Sequence, residues 1–183
     1  MIQNLKQEKT DSSGASNTTP AVHMNTDFEW EYDPLVNPSS IFAKVRIIGQ
    51  GSFGTVAEIL HSPSMTILAG KLINQNFLEN EVSKNELTKE IELLRKIESP
   101  YTIKYFGSVP LEGSLMILME YCDRCSLRNI LDARQQVLSE DQISLVMFDV
   151  LKGLETIHND FQIAHRDIKS SNILITSNGD IKI

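Results

Sequence analysis

The residues most suggestive of chemistry form a polar run followed by an apolar strand: His165-Arg166-Asp167-Ile168-Lys169-Ser170-Ser171-Asn172, then Ile173-Leu174-Ile175. Asp167 is a candidate to accept the proton of an attacking hydroxyl and to orient it. Lys169 would neutralise charge on a transferring phosphoryl group, and Asn172 would offer an oxygen to magnesium. Phosphoryl transfer needs this mixture, because positioning and charge neutralisation supply most of its catalysis. The alternative is an ordinary polar loop, although this order of residues is improbable by chance.

A second candidate group is the glycine-rich segment Gly49-x-Gly51-x-x-Gly54-x-Val56. Glycine lets backbone amides approach phosphate oxygens without a Cβ in the way. In a dinucleotide-binding fold such glycines lead from a strand into a helix, whereas here they lie between two predicted strands. We therefore interpret the segment as a flap over a nucleotide, with Val56 offering an apolar surface to the base. A glycine-rich hairpin without a ligand remains the alternative for this pattern taken alone.

The third group is Lys71 in the apolar strand Ala69-Gly70-Lys71, with Glu90 on the helix that follows. A lysine in the middle of such a strand is costly to bury unless it is paired. Glu90 directly precedes Ile91 near the middle of the predicted helix and is the natural partner. A Lys71–Glu90 pair would hold the lysine against the α- and β-phosphates of a nucleotide. A snorkelling strand lysine is the alternative.

Periodicity predicts the elements that would position these groups. β-branched and apolar runs predict strands at 42–48, 55–60, 67–73, 103–108 and 114–121, with a turn at Glu112-Gly113 before the last strand. A capping-box pattern at Ser83 and Glu86 predicts the start of a helix between the third and fourth strands. The apolar face of that helix is formed by Leu87, Ile91, Leu94 and Ile97, and Pro100 marks its end.

Beyond residue 121 the pattern becomes mainly helical. A short helix is predicted at 127–134, and a second capping box, Ser139 with Gln142, starts a long amphipathic helix that reaches Ile157. Short strands and loops follow, and they end in a hairpin whose turn is Asn178-Gly179.

The first part of the chain has a different residue composition. Residues 1–26 are rich in Ser, Thr, Asn, Gln and Lys with almost no large apolar side chains, and we predict a disordered tail. Phe28, Trp30 and Tyr32 then alternate with glutamates, which is compatible with a short edge strand or a segment that docks on the folded domain. A loosely packed aromatic linker is the interpretation slightly favoured.

Composition excludes several classes of function. The 183 residues are 41% hydrophobic, which is enough for a packed core, and the net charge of −7 argues against nucleic-acid binding. Cys122 and Cys125 form a C-x-x-C, but a structural zinc needs four ligands and the sequence has no second cysteine pair. His158 and His165 are the nearest candidates for further ligands. We therefore expect two reduced thiols. No apolar run predicts a membrane span, and we expect neither a signal peptide nor N-myristoylation.

Taken in chain order, these groups resemble eukaryotic protein kinases over about residues 41–183. The position of Lys169, two residues after Asp167, resembles the pattern of serine/threonine kinases, because tyrosine kinases usually lack a lysine there. The finer resemblance is to the STE group, in particular germinal-centre-type kinases. It is carried by Met119-Glu120-Tyr121-Cys122 with Ser126-Leu127, Leu151-Lys152-Gly153-Leu154 and His165-Arg166-Asp167-Ile168-Lys169-Ser170.

The resemblance implies a role for each site residue. It implies catalytic roles for Asp167, Lys169, Asn172, Lys71 and Glu90. Nucleotide contacts are implied for Ile48, Gly49, Gly51, Ser52, Phe53, Gly54, Val56, Ala69, Lys71, Met119, Glu120 and Cys122. Among these, Met119 occupies the gatekeeper position, Glu120 and Cys122 belong to the hinge that binds adenine, and Asn172 is the implied magnesium ligand. Gly70 departs from the family, which usually has a larger residue there, and its side-chain slot is expected to point away from the nucleotide.

The implied fold is α+β, a kinase-like two-lobe fold with a five-stranded antiparallel sheet and one helix in the first lobe and a partial, mainly helical second lobe. The predicted division is a disordered N-terminal tail at 1–38, an N-lobe at 39–121 and a partial C-lobe at 122–183 that ends after the catalytic loop. The implied cofactors are ATP and Mg²⁺, and the implied substrate is a protein with Ser or Thr acceptors. A cytoplasmic location is expected, and the sequence does not indicate an oligomeric state.

The family order predicts Asp-Phe-Gly within a few residues of Ile181-Lys182-Ile183, where the printed sequence ends. We therefore expect the 183-residue polypeptide itself to be inactive or weakly active, with apolar surface of the long helix uncovered. The alternative function is a non-catalytic, pseudokinase-like nucleotide-binding or scaffold fragment. A third and least favoured alternative is an interaction module built on the N-terminal tail.

Overall fold

The computed structural model describes residues 28–51, 54–111, 113–134 and 137–183. The predicted disordered tail at 1–26 lies outside these ranges, as do Ser52, Phe53 and Glu112. The described residues belong to two compact units. We call 28–96 with Lys104–Tyr121 the sheet unit, and Ile97–Ile103 with Cys122–Ile183 the helical unit. The predicted domain boundaries after residues 38 and 121 stay predictions.

An antiparallel sheet of five strands in the order β1-β2-β3-β5-β4 dominates the sheet unit. The strands are β1 (Phe42–Gly51), β2 (Gly54–His61), β3 (Thr66–Ile73), β4 (Tyr105–Leu111) and β5 (Ser114–Met119). β1 and β2 reach further into the glycine-rich segment than predicted, and Gly51 pairs with Gly54. Strand alternation gives the sheet two buried faces, because neighbouring residues point to opposite sides.

One face of the sheet packs on the N-terminal segment. Its buried core comprises Phe28, Phe42, Ala57, Ile59, Leu68, Phe106, Val109, Met116 and Leu118. Phe28 meets Phe106 edge-on at a ring distance of 5.4 Å, and Trp30 meets Phe42 at 4.9 Å. The favoured interpretation of a loosely packed linker is therefore wrong for Phe28 and Trp30, and the docked-segment alternative describes them. Short helix α1 (Pro38–Ile41) joins this segment to β1.

The other face of the sheet packs on a helix. Ile73 and Ile117 are buried with Leu87, and Ile91 lies against this cluster. Leu87 belongs to α3 (Glu81–Lys96), which follows the short α2 (Gln75–Glu79). The predicted apolar stripe thus faces the sheet, as an amphipathic helix on a sheet requires.

The predicted start of this helix is wrong. Ser83 lies inside α3, and the Oδ1 of Asn80 accepts hydrogen bonds from the backbone N–H groups of Val82 and Ser83 at 3.0 and 3.1 Å. Asn80 thereby satisfies amide donors that a helix start leaves unpaired. The spacing of Ser83 and Glu86 matches a capping box, but the residue that caps the helix is Asn80, three positions earlier.

The helical unit contains α4 (Leu127–Arg134) and α5 (Glu140–Glu155), the latter continued by a π-helical turn at Thr156–Asp160. The predicted capping box is confirmed, since the side chains of Ser139 and Gln142 each accept from the other's backbone N–H. Strands β6 (Leu174–Ile175) and β7 (Ile181–Lys182) form the predicted hairpin. Gly179 has φ +85° in its turn, a conformation that favours glycine.

The buried core of the helical unit joins α5 to this hairpin through Val146, Val150, Ile173, Ile175 and Ile181, with Leu127 from α4. The two units together give the α+β fold class that was predicted, with a five-stranded antiparallel sheet and a partial helical region. Among the described residues, none of the helices has the length and apolar character needed to cross a membrane.

Candidate active site

A row of paired residues across the sheet carries the first part of the site. Gly49 pairs with Val56, and Val56 pairs with Lys71 on β3. Directly paired residues of antiparallel strands point to the same face. The glycine-rich segment, Val56 and the strand lysine therefore share the sheet face on which α3 packs.

Lys71 meets Glu90 from that helix. The Nζ of Lys71 donates a hydrogen bond to Oε1 of Glu90 at 2.8 Å, and the two side chains are 17% and 36% exposed. Leu87, one turn earlier on α3, is buried beneath the sheet and fixes the helix face that presents Glu90. The structure thus brings together the lysine and glutamate that the sequence suggested as partners.

Gly54 shows why the glycine-rich segment needs glycine. An added Cβ would lie 1.9 Å from the carbonyl oxygen of Leu72, an overlap with backbone that no rotamer change relieves. Gly49 differs, since its added Cβ would meet Val56 Cβ at an ordinary 3.8 Å. Ser52 and Phe53, the predicted tip of the flap, lie outside the described residues.

The predicted adenine-binding residues of the sheet unit gather one row away. Ala69 pairs with Met119 across β3 and β5, and Ala69 is buried. Ile48 lies at an irregularity of β1, between Ile47 and Gly49, and its side chain is exposed. Such a bulge redirects a side chain relative to plain strand alternation.

The predicted hinge residues, Glu120 and Cys122, both take part in backbone hydrogen bonds. Glu120 is buried, and its N–H donates to the carbonyl of Lys104 at 2.8 Å while its Oε2 accepts from the Lys104 N–H at 3.2 Å. Cys122 is the first residue of this stretch that belongs to the helical unit, where it is buried and accepts from the N–H of Cys125 at 3.3 Å.

Three predicted catalytic residues converge in the helical unit. Oδ2 of Asp167 lies 2.9 Å from Nζ of Lys169 and accepts from Nδ2 of Asn172 at 2.7 Å. A second bond from Asn172 Nδ2 reaches the Asp167 carbonyl at 3.0 Å. The hydrogen bonds from Lys169 and Asn172 lower the pKa of Asp167 below its ordinary value, so the group is a carboxylate at neutral pH.

The residues before Asp167 shape this loop. The N–H of Asp167 donates to Nδ1 of His165 at 3.3 Å, which requires the neutral imidazole. Burial lowers the pKa of His165, and this outweighs the opposing charge of Asp167. Arg166 has φ +64°, a left-handed conformation that is rare for a residue with a side chain and concentrates at functional sites.

Asn172 also fits the implied magnesium. Because both of its amide hydrogens point at Asp167, its Oδ1 remains as an oxygen ligand. Magnesium binds carboxylate, amide and phosphate oxygens, and protein sites commonly supply only one or two ligands beside the substrate phosphates. The described residues include no cluster of three His, Cys, Asp or Glu that would hold a metal by itself.

Sequence reasoning missed one group in the sheet unit. Arg46, Glu58 and Tyr121 form a closed set of hydrogen bonds one row from Lys71 on the same face of the sheet. The available signal was a pair of opposite charges, Arg46 and Glu58, on two neighbouring predicted strands. To place them opposite each other, the register of β1 on β2 must be known. That register depends on the two irregularities of β1, which the sequence pattern does not show.

A family model and the curated relatives of this chain both point to protein kinases. Residues 42–183 match the family described as the protein kinase domain. The chain is 35% identical over 176 residues to the serine/threonine-protein kinase pakH of Dictyostelium discoideum, covering 96% of this chain and 33% of that protein. It is 38% identical over 146 residues to the serine/threonine-protein kinase cst-1 of Caenorhabditis elegans, covering 80% and 28%.

A third relative is the serine/threonine-protein kinase hippo of Drosophila melanogaster, 36% identical over 149 residues, with 81% of this chain and 21% of that protein covered. The chain thus spans about a third or less of the length of these curated relatives. The similarity to these proteins confirms the predicted resemblance to serine/threonine kinases of the germinal-centre-like type. The names of these relatives describe phosphate transfer to Ser or Thr, and the protein kinase family generally uses ATP and Mg²⁺. The chain belongs to the protein kinase domain family, and the curated relatives named above are serine/threonine-protein kinases.

Proposed function

We propose that this chain supplies the nucleotide-binding and catalytic-loop residues of an enzyme that transfers the γ-phosphate of ATP to Ser or Thr hydroxyls of proteins. The observation that carries the proposal is the hydrogen-bonded set of Asp167, Lys169 and Asn172 in the helical unit. The three relatives named above are described as serine/threonine-protein kinases, which supports the class of acceptor.

The sheet unit is proposed to bind the nucleotide. Lys71, held by Glu90 at 2.8 Å, would present its ammonium to the α- and β-phosphates. Gly49, Gly51 and Gly54 would let backbone amides approach the phosphates closely. The apolar residues proposed to contact adenine are Ile48, Val56, Ala69 and Met119, with Ser52 and Phe53 at the flap and Glu120 and Cys122 in the hinge.

The catalytic loop is proposed to position the acceptor. Asp167 is ionised at neutral pH and its carboxylate is 60% exposed, so it can accept a hydrogen bond from an incoming hydroxyl. Its lowered pKa makes it a weak base, which suits orientation of the hydroxyl early in transfer and acceptance of the proton late. Lys169 pairs with Asp167 and would offer its charge to the transferring phosphoryl oxygens instead.

The metal proposal rests on Asn172. Its Oδ1 is the ligand that this loop would contribute to magnesium, together with phosphate oxygens of the nucleotide. When bound, magnesium neutralises charge that accumulates on the phosphates. The partners proposed are ATP and a Ser- or Thr-containing protein, and a cytoplasmic location stays a prediction.

Phosphate transfer by the complete gene product that carries this sequence tests the proposal. The purified protein is incubated with [γ-³²P]ATP and two peptide libraries that differ only in the acceptor, Ser/Thr in one and Tyr in the other. We expect magnesium-dependent labelling of the Ser/Thr library and background labelling of the Tyr library. Labelling of neither library, by a protein that elutes and melts as a folded species, contradicts the proposed function.

A further inference from the structure

Arg46, Glu58 and Tyr121 form a set of hydrogen bonds outside the proposed catalytic and nucleotide contacts. Nε of Arg46 donates to Oε2 of Glu58 at 2.8 Å. The hydroxyl of Tyr121 donates to the same oxygen at 2.9 Å and accepts from the guanidinium of Arg46 at 3.0 Å. Each of the three side chains contacts both others, so we call the set the Tyr121 triad.

The triad lies on the face of the sheet that carries the proposed nucleotide contacts. Arg46 pairs with Glu58, Glu58 pairs with Ala69, and Ala69 pairs with Met119, so all four share one cross-strand row. That row is two residues along β2 from Val56, whose partner is Lys71. Strand periodicity places both rows on one face.

The pairing register of β1 on β2 needs a side-chain restraint such as the Tyr121 triad. Irregularities interrupt its pairing with β2 between Lys44 and Arg46 and again between Ile47 and Gly49. Only Arg46 and Ile47 pair regularly in the interval between them. A ladder with two bulges determines its register weakly, so a side-chain pair inside that interval fixes where Ile48 and Gly49 lie.

Tyr121 extends this restraint to the hinge. It follows Glu120, whose backbone and carboxylate are bonded to Lys104, and it is the last residue of the sheet unit. Glu58 is only 14% exposed, which strengthens hydrogen bonds to its carboxylate relative to a fully solvated pair. Burial and the bond to Glu58 raise the pKa of Tyr121 to about 12, so its hydroxyl remains a donor at every physiological pH.

We propose that Tyr121 is a positioning residue for ATP, which holds β1 at Ile48 and Gly49 beside Glu120 through Glu58 and Arg46. The inference rests on the proposed function, because it assigns a role in binding the same nucleotide. A purely structural triad would stabilise the fold without a selective effect on the nucleotide. The positioning role instead predicts that nucleotide affinity changes while the catalytic rate at saturating ATP does not.

Tyr121→Phe tests this with removal of a single oxygen, and Tyr32→Phe is the control, since Tyr32 is exposed and lies outside the strands. We expect the KM for ATP of the complete gene product to rise roughly three- to tenfold in Tyr121→Phe, the effect of one hydrogen bond of ordinary net strength. The kcat and the melting temperature should remain close to wild type, and Tyr32→Phe should change none of these quantities.

Glu58→Gln provides the second variant, because it keeps the shape of the side chain but weakens both bonds to Oε2. We expect the KM for ATP of Glu58→Gln to rise. In the double variant with Tyr121→Phe, the fold-increase in KM should be smaller than the product of the two single fold-increases, because both substitutions break the same network. An unchanged KM in Tyr121→Phe, or multiplicative effects in the double variant, overturns the inference. A wild-type protein that does not bind ATP in calorimetry overturns the proposed function, and this inference with it.

Discussion

At the scale of residues, the site depends on charges that are held by short hydrogen bonds in each unit. Lys71 is held by Glu90 at 2.8 Å, and Asp167 is held by Lys169 at 2.9 Å and Asn172 at 2.7 Å. The Asp167–Lys169 pair is exposed and contributes little to stability, and the half-buried Lys71–Glu90 pair mainly places charge where phosphate would bind. Their consequences should therefore appear in ligand binding more than in unfolding.

Glu90→Gln should weaken binding of Mg·ATP, because Lys71 loses the charged partner that orients its ammonium. We expect the dissociation constant to rise roughly tenfold, as for loss of one hydrogen bond to a charged group, in isothermal titration calorimetry. Glu86→Gln is the matched control, since Glu86 is an exposed glutamate one turn earlier on α3. Equal effects of the two substitutions would contradict a specific role for the Lys71–Glu90 pair.

His165 should titrate below its ordinary pKa of 6.5, because burial disfavours the imidazolium. In the pH range between the folded pKa and 6.5, the unfolded chain binds more protons than the folded chain. The stability contributed by neutral His165 is therefore complete above pH 6.5 and is lost as the pH falls. An NMR titration of the ring, with the urea-unfolded chain as reference, would contradict this if its midpoint exceeded that of the reference.

At the scale of elements, the sequence predicted those features that local patterns specify. The strands, α4 and the Ser139 capping box were predicted because apolar periodicity and side-chain spacing are local signals. The start of α3 was mispredicted, because Asn80 competes with Ser83 for the cap and spacing alone does not rank them. The irregularities of β1 were not predictable, since they depend on which residues of β2 lie opposite.

The two candidate helix caps give opposite expectations. Ser139→Ala should destabilise the chain by about 1 kcal/mol, because it removes the bond from Ser139 Oγ to the N–H of Gln142. Ser83→Ala should change stability by less than about 0.5 kcal/mol, because Ser83 lies inside α3 and alanine favours helix. Urea unfolding monitored by circular dichroism compares them. A larger cost for Ser83→Ala would contradict the assignment of Asn80 as the cap.

At the scale of the whole molecule, the docking of the N-terminal segment was the main feature that periodicity could not decide. Phe28 and Trp30 alternate with glutamates, a pattern shared by a strand, a linker and a docked segment. What decides between them is long-range: Gly107 on β4 has no side chain, and an added Cβ there would lie 2.8 Å from Trp30 Cδ1. A complementary position more than seventy residues away cannot be identified from local sequence.

Phe28→Ala should destabilise the chain by about 3 kcal/mol, the lower end of the range for a buried phenylalanine. Phe28 is 6% exposed and contacts the rings of His61 and Phe106 at 5.0 and 5.4 Å. Trp30 is the one tryptophan of the chain, so its fluorescence emission should shift to longer wavelength as the segment loosens. Tyr32→Ala is the control, with 46% exposure. Equal costs for the two variants would contradict docking through Phe28.

Phosphate transfer by the proposed catalytic loop should depend on the carboxylate of Asp167. The most direct measurement is the kcat of the complete gene product with Asp167→Asn, beside Asp160→Asn, an exposed aspartate of the same unit. We expect a loss of about 10²- to 10⁴-fold in kcat for Asp167→Asn with ATP affinity retained, and wild-type turnover for Asp160→Asn. Turnover by Asp167→Asn within a few-fold of wild type would contradict it.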